Sequence, residues 1–318
     1  MALLIGIDVG GTNLRLGVVE WVNGQAKLLE EMRFQADFSS FCKMHQHAPQ
    51  HAWQIILITM ASAIQSVRAQ HPSISAVGIG FPGFIDPTTQ QISQSPNLPG
   101  LKDVDLSADL SAMIGLPVTT ENDALAAAYG EAFQLKLDNL IYLGLGTGVG
   151  GGLVLNGKPF QGQHGVAMEV GHIITTQNGR LCGCGNHGCM EQYASASGVA
   201  KTYVEHTHQQ CTAAEISLLA QAGDEAAIKA YSLAGASLAQ ALAHILKVID
   251  VPNVVIGGGM SAGWLLMKPT FDAQLQQDLI PALRGKIHIH LSQMGDQAGI
   301  IGAAMLATIH RKEVFLHD

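Results

Sequence analysis

Two parts of this sequence, far apart along the chain, share one order of elements: an apolar strand, a glycine turn and a second strand. Residues 3–8 are apolar, glycines follow at positions 10 and 11, and residues 14–18 alternate between apolar and other side chains. Residues 139–145, the glycine-rich stretch from Gly146 and residues 153–155 repeat that order. Short apolar runs and alternation beside glycine are typical of strands. One such unit in each half indicates a duplicated domain plan with a nucleotide held between the halves.

A third glycine cluster lies near the end of the chain. Gly257, Gly258 and Gly259 follow the apolar strand 254–256 and precede a serine-containing helix start. Backbone N–H groups in this context face a ligand, and glycine lets them approach an anion closely because it has no Cβ. The three turns together predict phosphate binding. For any one of them, a tight turn with a purely conformational role remains the alternative.

Two other nucleotide-binding motifs are excluded by their surroundings. A G-x-G-x-x-G pattern begins at Gly146, but a strand and the turn Asn156-Gly157 follow it, whereas a dinucleotide fold needs a helix there. No Gly-Lys-Ser or Gly-Lys-Thr tripeptide is present, so a Walker A loop is excluded. The remaining interpretation is phosphate binding by hairpin turns. Asp8, beside the first turn, is suited to hold Mg²⁺ or its waters.

Helical periodicity is clearest at residues 52–70, 123–133, 226–249 and 299–310, where Ala, Leu and Ile recur at helical spacing. Strands alternate with these helices, so the predicted class is α/β. We place the domain boundary near Glu121, where the strand 118–121 leads into a helix. This gives domains at residues 1–121 and 122–298.

Composition narrows the function. A chain of 318 residues with 47% hydrophobic content can bury a large core, and its formal net charge of −8 with no Lys/Arg run argues against a nucleic-acid partner. The 19 uncharged residues 139–157 approach the length of a membrane span, but seven are glycine, so we predict no membrane partner. The N-terminus lacks the features of an export signal. We therefore expect a cytoplasmic protein.

The five cysteines are unevenly spaced, because Cys182, Cys184 and Cys189 lie within eight residues. Such clustering in a cytosolic chain favours metal binding over disulfide bonds. Three thiolates and one imidazole complete the tetrahedral closed site of a structural zinc ion. His172, ten positions upstream of Cys182, and His187, inside the cysteine loop, are the two candidates for the fourth ligand.

Together these motifs resemble the ROK family of sugar kinases and regulators, in order and spacing over nearly the whole chain. The matching segments are residues 8–13, 144–152, 169–172, 182–191 and 257–259. The resemblance implies a two-domain actin-like ATPase (ribonuclease H-like) fold with an interdomain cleft, and a C-terminal helix, residues 299–318, that packs back on the first domain. It also implies ATP and Mg²⁺, a hexose or amino-hexose acceptor, a structural Zn²⁺ and a homodimer or homotetramer.

The resemblance assigns roles residue by residue. Asp123 is implied to be the catalytic base. The residues implied to bind the sugar are Gly83, Asn97, Asn122, Asp123, Glu169, His172 and Glu191. Those implied to bind ATP and Mg²⁺ are Asp8, Gly10, Gly11, Thr12, Gly146, Thr147, Gly148, Gly257, Gly258 and Gly259. The family spacing favours His172 over His187 as the ligand that completes the zinc site with Cys182, Cys184 and Cys189.

Asp123 also has a purely structural interpretation. An Asp at the start of the helix-forming run 124–128 can be an N-cap. The two roles are compatible, because a helix N-terminus favours the ionised carboxylate that a general base requires. Phosphoryl transfer needs mainly positioning, charge stabilisation and a carboxylate that accepts the hydroxyl proton.

The expected activity is that of a glucokinase, which converts glucose to glucose 6-phosphate, because the segment 95–100 (Ser-Pro-Asn-Leu-Pro-Gly) resembles the glucokinase branch. The alternatives are N-acetylglucosamine, N-acetylmannosamine, fructose, mannose or allose kinases. A sugar-responsive repressor of the same family is the alternative from another class. We expect this alternative less, because the Asp8 motif begins so near the first residue that no room is expected for a preceding DNA-binding domain.

One departure from the family pattern lies just before Glu169. Many relatives place Ala-Gly where this chain has Ala167-Met168. A side chain at position 168 could narrow or reshape the cleft near the sugar, so it bears on which sugar is bound.

Overall fold

The structure is a computed structural model that describes residues 2–10, 12–95 and 98–314. Strands and helices alternate along these residues, as the α/β prediction expects. The strands are β1 (Ala2–Val9), β2 (Asn13–Val22), β3 (Gln25–Gln35), β4 (Ile74–Phe81), β5 (Phe84–Ile85), β6 (Ile92–Gln94), β7 (Val118–Asn122), β8 (Leu140–Leu145), β9 (Val149–Leu155), β10 (Lys158–Pro159), β11 (Asn253–Gly257) and β12 (His288–Leu291).

The four helices predicted from periodicity are confirmed with slightly wider bounds, as α2, α4, α8 and α10. The helices are α1 (Phe38–Met44), α2 (Pro49–Gln70), α3 (Leu106–Ile114), α4 (Asp123–Leu135), α5 (Glu191–Ala194), α6 (Ala196–Thr207), α7 (Ala213–Gln221), α8 (Glu225–Ile249), α9 (Trp264–Asp278) and α10 (Gln297–Val314). Short 3₁₀ segments lie at Val170–His172, Gly259–Gly263 and Pro281–Leu283.

The chain divides into two compact units. The first contains the residues up to Asp138, the segment Gly152–Ala167 and the residues from Asp296 onward. Its sheet has the strand order β3-β2-β1-β4-β7. Strands β1, β4 and β7 are parallel, whereas β2 is antiparallel to both β1 and β3. Helix α10 packs so closely on β1 and β4 that a Cβ at Gly6 or Gly78 would overlap its main chain.

The second unit contains Asn139–Gly151 and Met168–Gly295. Its strands belong to a sheet of order β10-β9-β8-β11-β12, in which β8, β11 and β12 are parallel and β9 crosses the boundary between the units. Among the described helices, α8 is the one long and apolar enough to cross a membrane, and more than half of its most apolar window is buried. It packs against α9, α6 and α7, as a core helix does.

The compact units and the predicted domains divide the chain at different places. The prediction separated residues 121 and 122, whereas the first unit continues through α4 to Asp138. The physical reason is close packing: a Cβ at Gly130 on α4 would overlap the main chain of α10 at Ala298, and a Cβ at Gly152 would lie 3.0 Å from the α4 residue Leu125. Helix α4 and the segment Gly152–Ala167 therefore belong to the first unit.

The second glycine cluster was expected to be one long turn over residues 146–152. Only Gly146, Thr147 and Gly148 form the turn, and β9 begins at Val149. The glycines that follow are strand residues, and Gly151 and Gly152 lie at close approaches to neighbouring main chain. A Cβ at Gly151, for example, would lie 2.5 Å from the Met168 carbonyl oxygen.

Candidate active site

The first glycine turn joins β1 to β2 in the first unit, with the Gly10 N–H donating to the Asn13 carbonyl at 2.9 Å. Asp8 lies near the end of β1, opposite Arg15 on β2. Arg15 donates through Nη2 to Asp8 Oδ2 at 2.5 Å, and its Nη1 pairs with Asp296. Burial raises the pKa of Asp8, and the Arg15 guanidinium opposes that shift. The turn therefore has both a carboxylate and a cation beside it.

Three parallel strands bring Asp8 and the catalytic candidates to one edge of the first sheet. Asp8 on β1 is in register with Gly80 on β4, which is in register with Glu121 on β7. Parallel strands end at the same edge, so the Glu121-Asn122-Asp123 segment and the first glycine turn lie on the same side of this sheet. The crevice outside the carboxyl ends of strands is where ligands bind in open α/β sheets.

The side chain of Asn122 caps α4 and also binds the Gly83 segment. Its Oδ1 accepts from the Leu125 N–H at 3.0 Å, and its Nδ2 donates to the Gly83 carbonyl at 3.2 Å. The interpretation of Asp123 as the N-cap is therefore wrong, because Asp123 is the first helical residue and its Oδ1 accepts from the Ala124 N–H at 2.8 Å. Asp123 remains at the positive end of the helix dipole, which favours its ionised form.

Glu121, directly before this pair, is a buried carboxyl with both oxygens bonded. Only 5% of its surface is exposed. Oε1 accepts from the Asn122 N–H at 2.8 Å, and Oε2 accepts from Gln161 Nε2 at 2.5 Å. Burial raises the pKa of Glu121 to about 7, although the hydrogen bonds from Asn122 and Gln161 oppose the shift. Glu121 thus attaches the segment that begins α4 to the loop that follows β10.

The second unit presents two glycine turns at one sheet edge. The Gly146 N–H donates to the Gly148 carbonyl at 2.9 Å, and Thr147 is exposed at the tip of that turn. Gly257 ends β11 in register with Gly144 on β8. Gly258 has a φ of 79°, and a Cβ there would overlap the backbone of Leu145. Gly258 therefore packs against the end of β8, one residue before the other turn. The 3₁₀ segment that begins at Gly259 leads on to α9.

Four predicted metal ligands form a compact cluster in the second unit. The ligand atoms of His172, Cys182, Cys184 and Cys189 all lie within 4.8 Å of one another. His172 Nδ1 is 3.5 Å from Cys182 Sγ, and the sulfurs of Cys184 and Cys189 are 3.6 Å apart. Tetrahedral zinc with bonds of about 2.3 Å separates sulfur ligands by roughly 3.8 Å, so the donor set fits this ion. His187 is not in the cluster, and its Nδ1 lies 3.1 Å from the Gly179 carbonyl.

The three sugar-binding candidates of this unit adjoin the cysteine cluster. His172 turns Nδ1 toward Cys182, while its Nε2 lies 3.7 Å from Glu169 Oε2. Burial raises the pKa of Glu169, His172 opposes that shift, and the negative charge of Glu191 adds to it. Glu191 begins α5, and its Oε2 accepts from the Val149 N–H at 3.0 Å. The imidazole can therefore serve a metal through one nitrogen and a hydroxyl through the other.

The departure at Met168 has a backbone consequence. Met168 has a φ of 66°, in the left-handed region that favours glycine. The glycine that the family pattern places there would adopt this conformation without the clash of a Cβ. Met168 thus keeps the backbone geometry of a glycine position while adding a half-buried side chain just before Glu169.

The predicted site residues fall into two groups, one in each unit. The first unit holds Asp8, Gly10, Thr12, Gly83, Asn122 and Asp123, and the second holds Gly146, Thr147, Gly148, Glu169, His172, Cys182, Cys184, Cys189, Glu191, Gly257, Gly258 and Gly259. Gly11 and Asn97 lie outside the described residues. Sequence reasoning missed Arg15, Glu121 and Gln161. A carboxylate at a strand position directly before the Asn122-Asp123 pair was the available signal for Glu121.

The model of the ROK family matches residues 4–310 of the chain. The chain belongs to the ROK family. It is 31% identical to a glucokinase of Streptomyces coelicolor, with 96% of this chain and 98% of the relative aligned. It is 34% identical to an N-acetyl-D-glucosamine kinase of Shigella boydii, with 95% of this chain and 98% of the relative aligned.

A solved structure of the family has the same fold. The ROK glucokinase of Streptomyces griseus, in complex with glucose and AMPPNP, superimposes with a TM-score of 0.79 at 29% identity. The alignment covers 97% of this ROK chain and all of the solved one. The actin-like ATPase fold that the sequence motifs implied is confirmed.

Proposed function

We propose that this ROK protein is an ATP-dependent hexose kinase that phosphorylates glucose at its 6-hydroxyl. The observation that carries this proposal is the Asp123 carboxylate. It begins α4 beside an Asn122 side chain that is fixed at both ends by hydrogen bonds. A partly exposed carboxylate at a helix N-terminus is an ionised acceptor on a rigid element. The glucokinase relatives from two Streptomyces species support glucose as the acceptor.

In the proposed reaction, Asp123 accepts the proton of the sugar hydroxyl as that oxygen attacks the γ-phosphorus of ATP. The bond from the γ-phosphorus to the bridging oxygen breaks, and ADP leaves. Asn122 and Gly83 orient the sugar from the same unit. The amide nitrogen of Asn122 carries two hydrogens, and the Gly83 carbonyl accepts only one of them. Orientation and an ionised acceptor are the main protein contributions to phosphoryl transfer.

The glycine turns are proposed to bind ATP. Gly146–Gly148 and Gly257–Gly259 meet at one sheet edge of the second unit, where backbone N–H groups can approach phosphate oxygens. In the first unit, Gly10 and Thr12 form the turn beside Asp8. We propose that Asp8 holds Mg²⁺, whose chemistry is to neutralise phosphate charge. Asp8 fits this role as an oxygen donor, although Arg15 already bonds its Oδ2.

Glu169, His172 and Glu191 are proposed to bind sugar hydroxyls, and the neighbouring cluster is proposed to hold zinc. The ligands of this zinc would be His172 through Nδ1 and the thiolates of Cys182, Cys184 and Cys189. A bound zinc ion would fix the ring angle and tautomer of His172, leaving Nε2 for a hydroxyl group. In this proposal the metal would have a structural role and would take no part in the chemical step.

The identity of the sugar is tested by ADP release against a panel of glucose, N-acetylglucosamine, N-acetylmannosamine, fructose, mannose and allose. We expect the highest kcat/KM with glucose. A higher value with N-acetylglucosamine would favour the second candidate, which the Shigella boydii relative supports. If no sugar released ADP above background, the kinase proposal would fail, and a gel-shift assay at controlled salt would then test a regulator.

We also propose a cytoplasmic location and a homodimer or homotetramer. Size-exclusion chromatography with light scattering measures the oligomeric state directly. A monomer at micromolar concentration would contradict this part of the proposal.

A further inference from the structure

The segment that carries Glu191 is bonded to the glycine turn between β8 and β9 at two points. Glu191 Oε2 accepts from the Val149 N–H at 3.0 Å, immediately after the turn. Ala196 donates its N–H to the Gly146 carbonyl at 2.9 Å, at the start of the turn. A Cβ at Gly148 would collide with the same Glu191 oxygen. Residues 191–196 are therefore attached to both sides of the turn proposed to bind phosphate.

A second segment packs on the same place. A Cβ at Gly171 would lie 2.5 Å from the Val149 carbonyl oxygen and 3.4 Å from the Cβ of Glu191. Gly171 lies between Glu169 and His172, so the proposed sugar ligands of this unit rest against the start of β9. Glycine at position 171 is thus required by the close approach of the Val149 main chain.

The chemistry of Glu191 at this place points to positioning. A carboxylate repels the phosphate groups of a nucleotide, so Glu191 is not suited to be a phosphate ligand itself. A charge-assisted hydrogen bond to a backbone N–H, in contrast, holds that peptide in one orientation. A turn whose peptides are already oriented binds an anion more tightly, because less conformational entropy is lost on binding.

We propose that Glu191 is a positioning residue for nucleotide binding: its carboxylate fixes the Gly146–Gly148 turn through the Val149 N–H, besides its proposed contact with the sugar. The inference rests on the proposed function, because that function assigns the turn to ATP. It requires nucleotide affinity to depend on Glu191 even when no sugar is present. A residue that only binds sugar would have no such effect.

The test is the Kd of ADP, measured by isothermal titration calorimetry without sugar. We expect Glu191→Ala to weaken ADP binding about tenfold, the scale of one charge-assisted hydrogen bond. Glu191→Gln keeps an oxygen that can accept from the Val149 N–H, so its Kd should stay within about twofold of wild type. If Glu191→Ala does not fold, Glu191→Asp replaces it, because the shorter side chain keeps the charge but does not reach the Val149 N–H.

Glu169→Gln is the matched control. Glu169 is the other carboxylate proposed to bind sugar in this unit, and no hydrogen bond joins it to the turn among those described. This variant should raise the sugar KM and leave the Kd of ADP unchanged. The amide hydrogen exchange of a peptide covering residues 144–152 provides a second readout, and it should speed up in folded Glu191→Ala but not in Glu169→Gln.

The outcomes separate the inference from the proposed function. Wild-type protein that binds ADP, with an equal Kd in Glu191→Ala and unchanged exchange at the turn, would overturn the inference and leave the kinase proposal standing. Wild-type protein that binds no ADP would overturn both.

Discussion

At the scale of single residues, the proposed chemistry depends on Asp123. Its position at the start of α4 fixes the carboxylate at a helix N-terminus, while Asn122 performs the capping. Replacing Asp123 with Asn removes the proton acceptor and preserves the shape of the side chain. We expect kcat with glucose to fall by roughly 10² or more, the scale of a lost general base, with unchanged ADP affinity.

Asp105 provides the control for this variant. It is another Asp at a helix start, where it caps α3 by accepting from the Ala108 N–H at 2.8 Å, and it is not among the proposed site residues. Asp105→Asn should leave kcat unchanged. If folded Asp123→Asn also kept normal kcat, a different group would have to accept the proton.

Glu121 gives a prediction about pH. Its pKa is raised from 4.5 to about 7 in the folded protein, so between these values the folded state holds the proton more tightly than the unfolded chain. The folded state therefore loses stability as pH rises through this window and the Glu121 carboxyl ionises. A shift of this size corresponds to about 3 kcal/mol.

Glu121→Gln keeps the size of the side chain and one acceptor oxygen, but it cannot ionise. Its amide NH2 group replaces the second acceptor oxygen, a change that is the same at every pH. We expect the free energy of unfolding of this variant, minus that of wild type, to be larger at pH 8 than at pH 5 by roughly 2 to 3 kcal/mol, because only wild type loses stability as Glu121 ionises. Urea denaturation of both proteins at the two pH values measures this difference. Comparing the two proteins cancels the titration of the histidines. If the two proteins differed in free energy of unfolding by the same amount at both pH values, the pKa of Glu121 would not be raised by folding.

The residue scale also shows where sequence reasoning stops. Asn122 and Asp123 are adjacent, and both residue types cap helices, so the sequence could not decide which one caps α4. The hydrogen bond from Leu125 decides it. Arg15 and Gln161 were missed because their partners, Asp8 and Glu121, are set by strand register and loop placement. Local sequence contains no direct signal for these pairings.

At the scale of elements, periodic helices were predictable and glycine-rich segments were not. The predicted helix 226–249 agrees with α8 except for one residue at its start. The agreement is close because repeated apolar spacing is a strong signal of a helix. Glycine has two meanings, a turn or a close approach in a strand, and its tertiary neighbours decide between them. Gly151 and Gly152 belong to β9 for this reason.

Two variants of Met168, in the loop before Glu169, test the effect of the left-handed backbone at this residue. Met168→Ala and Met168→Gly both remove the side chain, so the difference between them isolates the φ of 66°. We expect the Gly variant to be more stable than the Ala variant by about 1 kcal/mol, since a Cβ is disfavoured in this region. Chemical denaturation of both variants measures this difference in stability. Equal stability of the two variants would indicate that the backbone at this residue leaves the left-handed region.

The zinc proposal is tested by the metal content of two histidine variants. His172 belongs to the ligand cluster, whereas His187 points its Nδ1 at the Gly179 carbonyl. We expect His187→Ala to retain about one zinc ion per chain and His172→Ala to lose most of it, because a closed structural site needs four protein ligands. Mass spectrometry of the purified proteins gives the counts, and thermal melts must accompany them, since structural zinc also contributes to folding. The reverse pattern would assign the fourth ligand to His187.

At the scale of the whole molecule, the family and the fold class could be predicted from motifs in their order, whereas the extent of each compact unit depends on how its elements pack. The order of the motifs reflects common ancestry, so it can be recognised without knowing how the elements pack. The extent of the first unit depends on α4 packing against α10, two helices far apart in sequence. That contact arises from small residues on both helices, such as Gly130 and Ala298, which give no local signal of a boundary.

The central claim is transfer of the γ-phosphate of ATP to a hexose hydroxyl with Asp123 as the base. Phosphorus NMR of wild-type protein with ATP, Mg²⁺ and glucose tests it most directly, because it identifies the product as well as the loss of ATP. We predict that the γ-phosphate resonance of ATP disappears as that of glucose 6-phosphate grows, with little change over the same time in Asp123→Asn. Unchanged ATP, or release of inorganic phosphate with no sugar phosphate, would contradict the account.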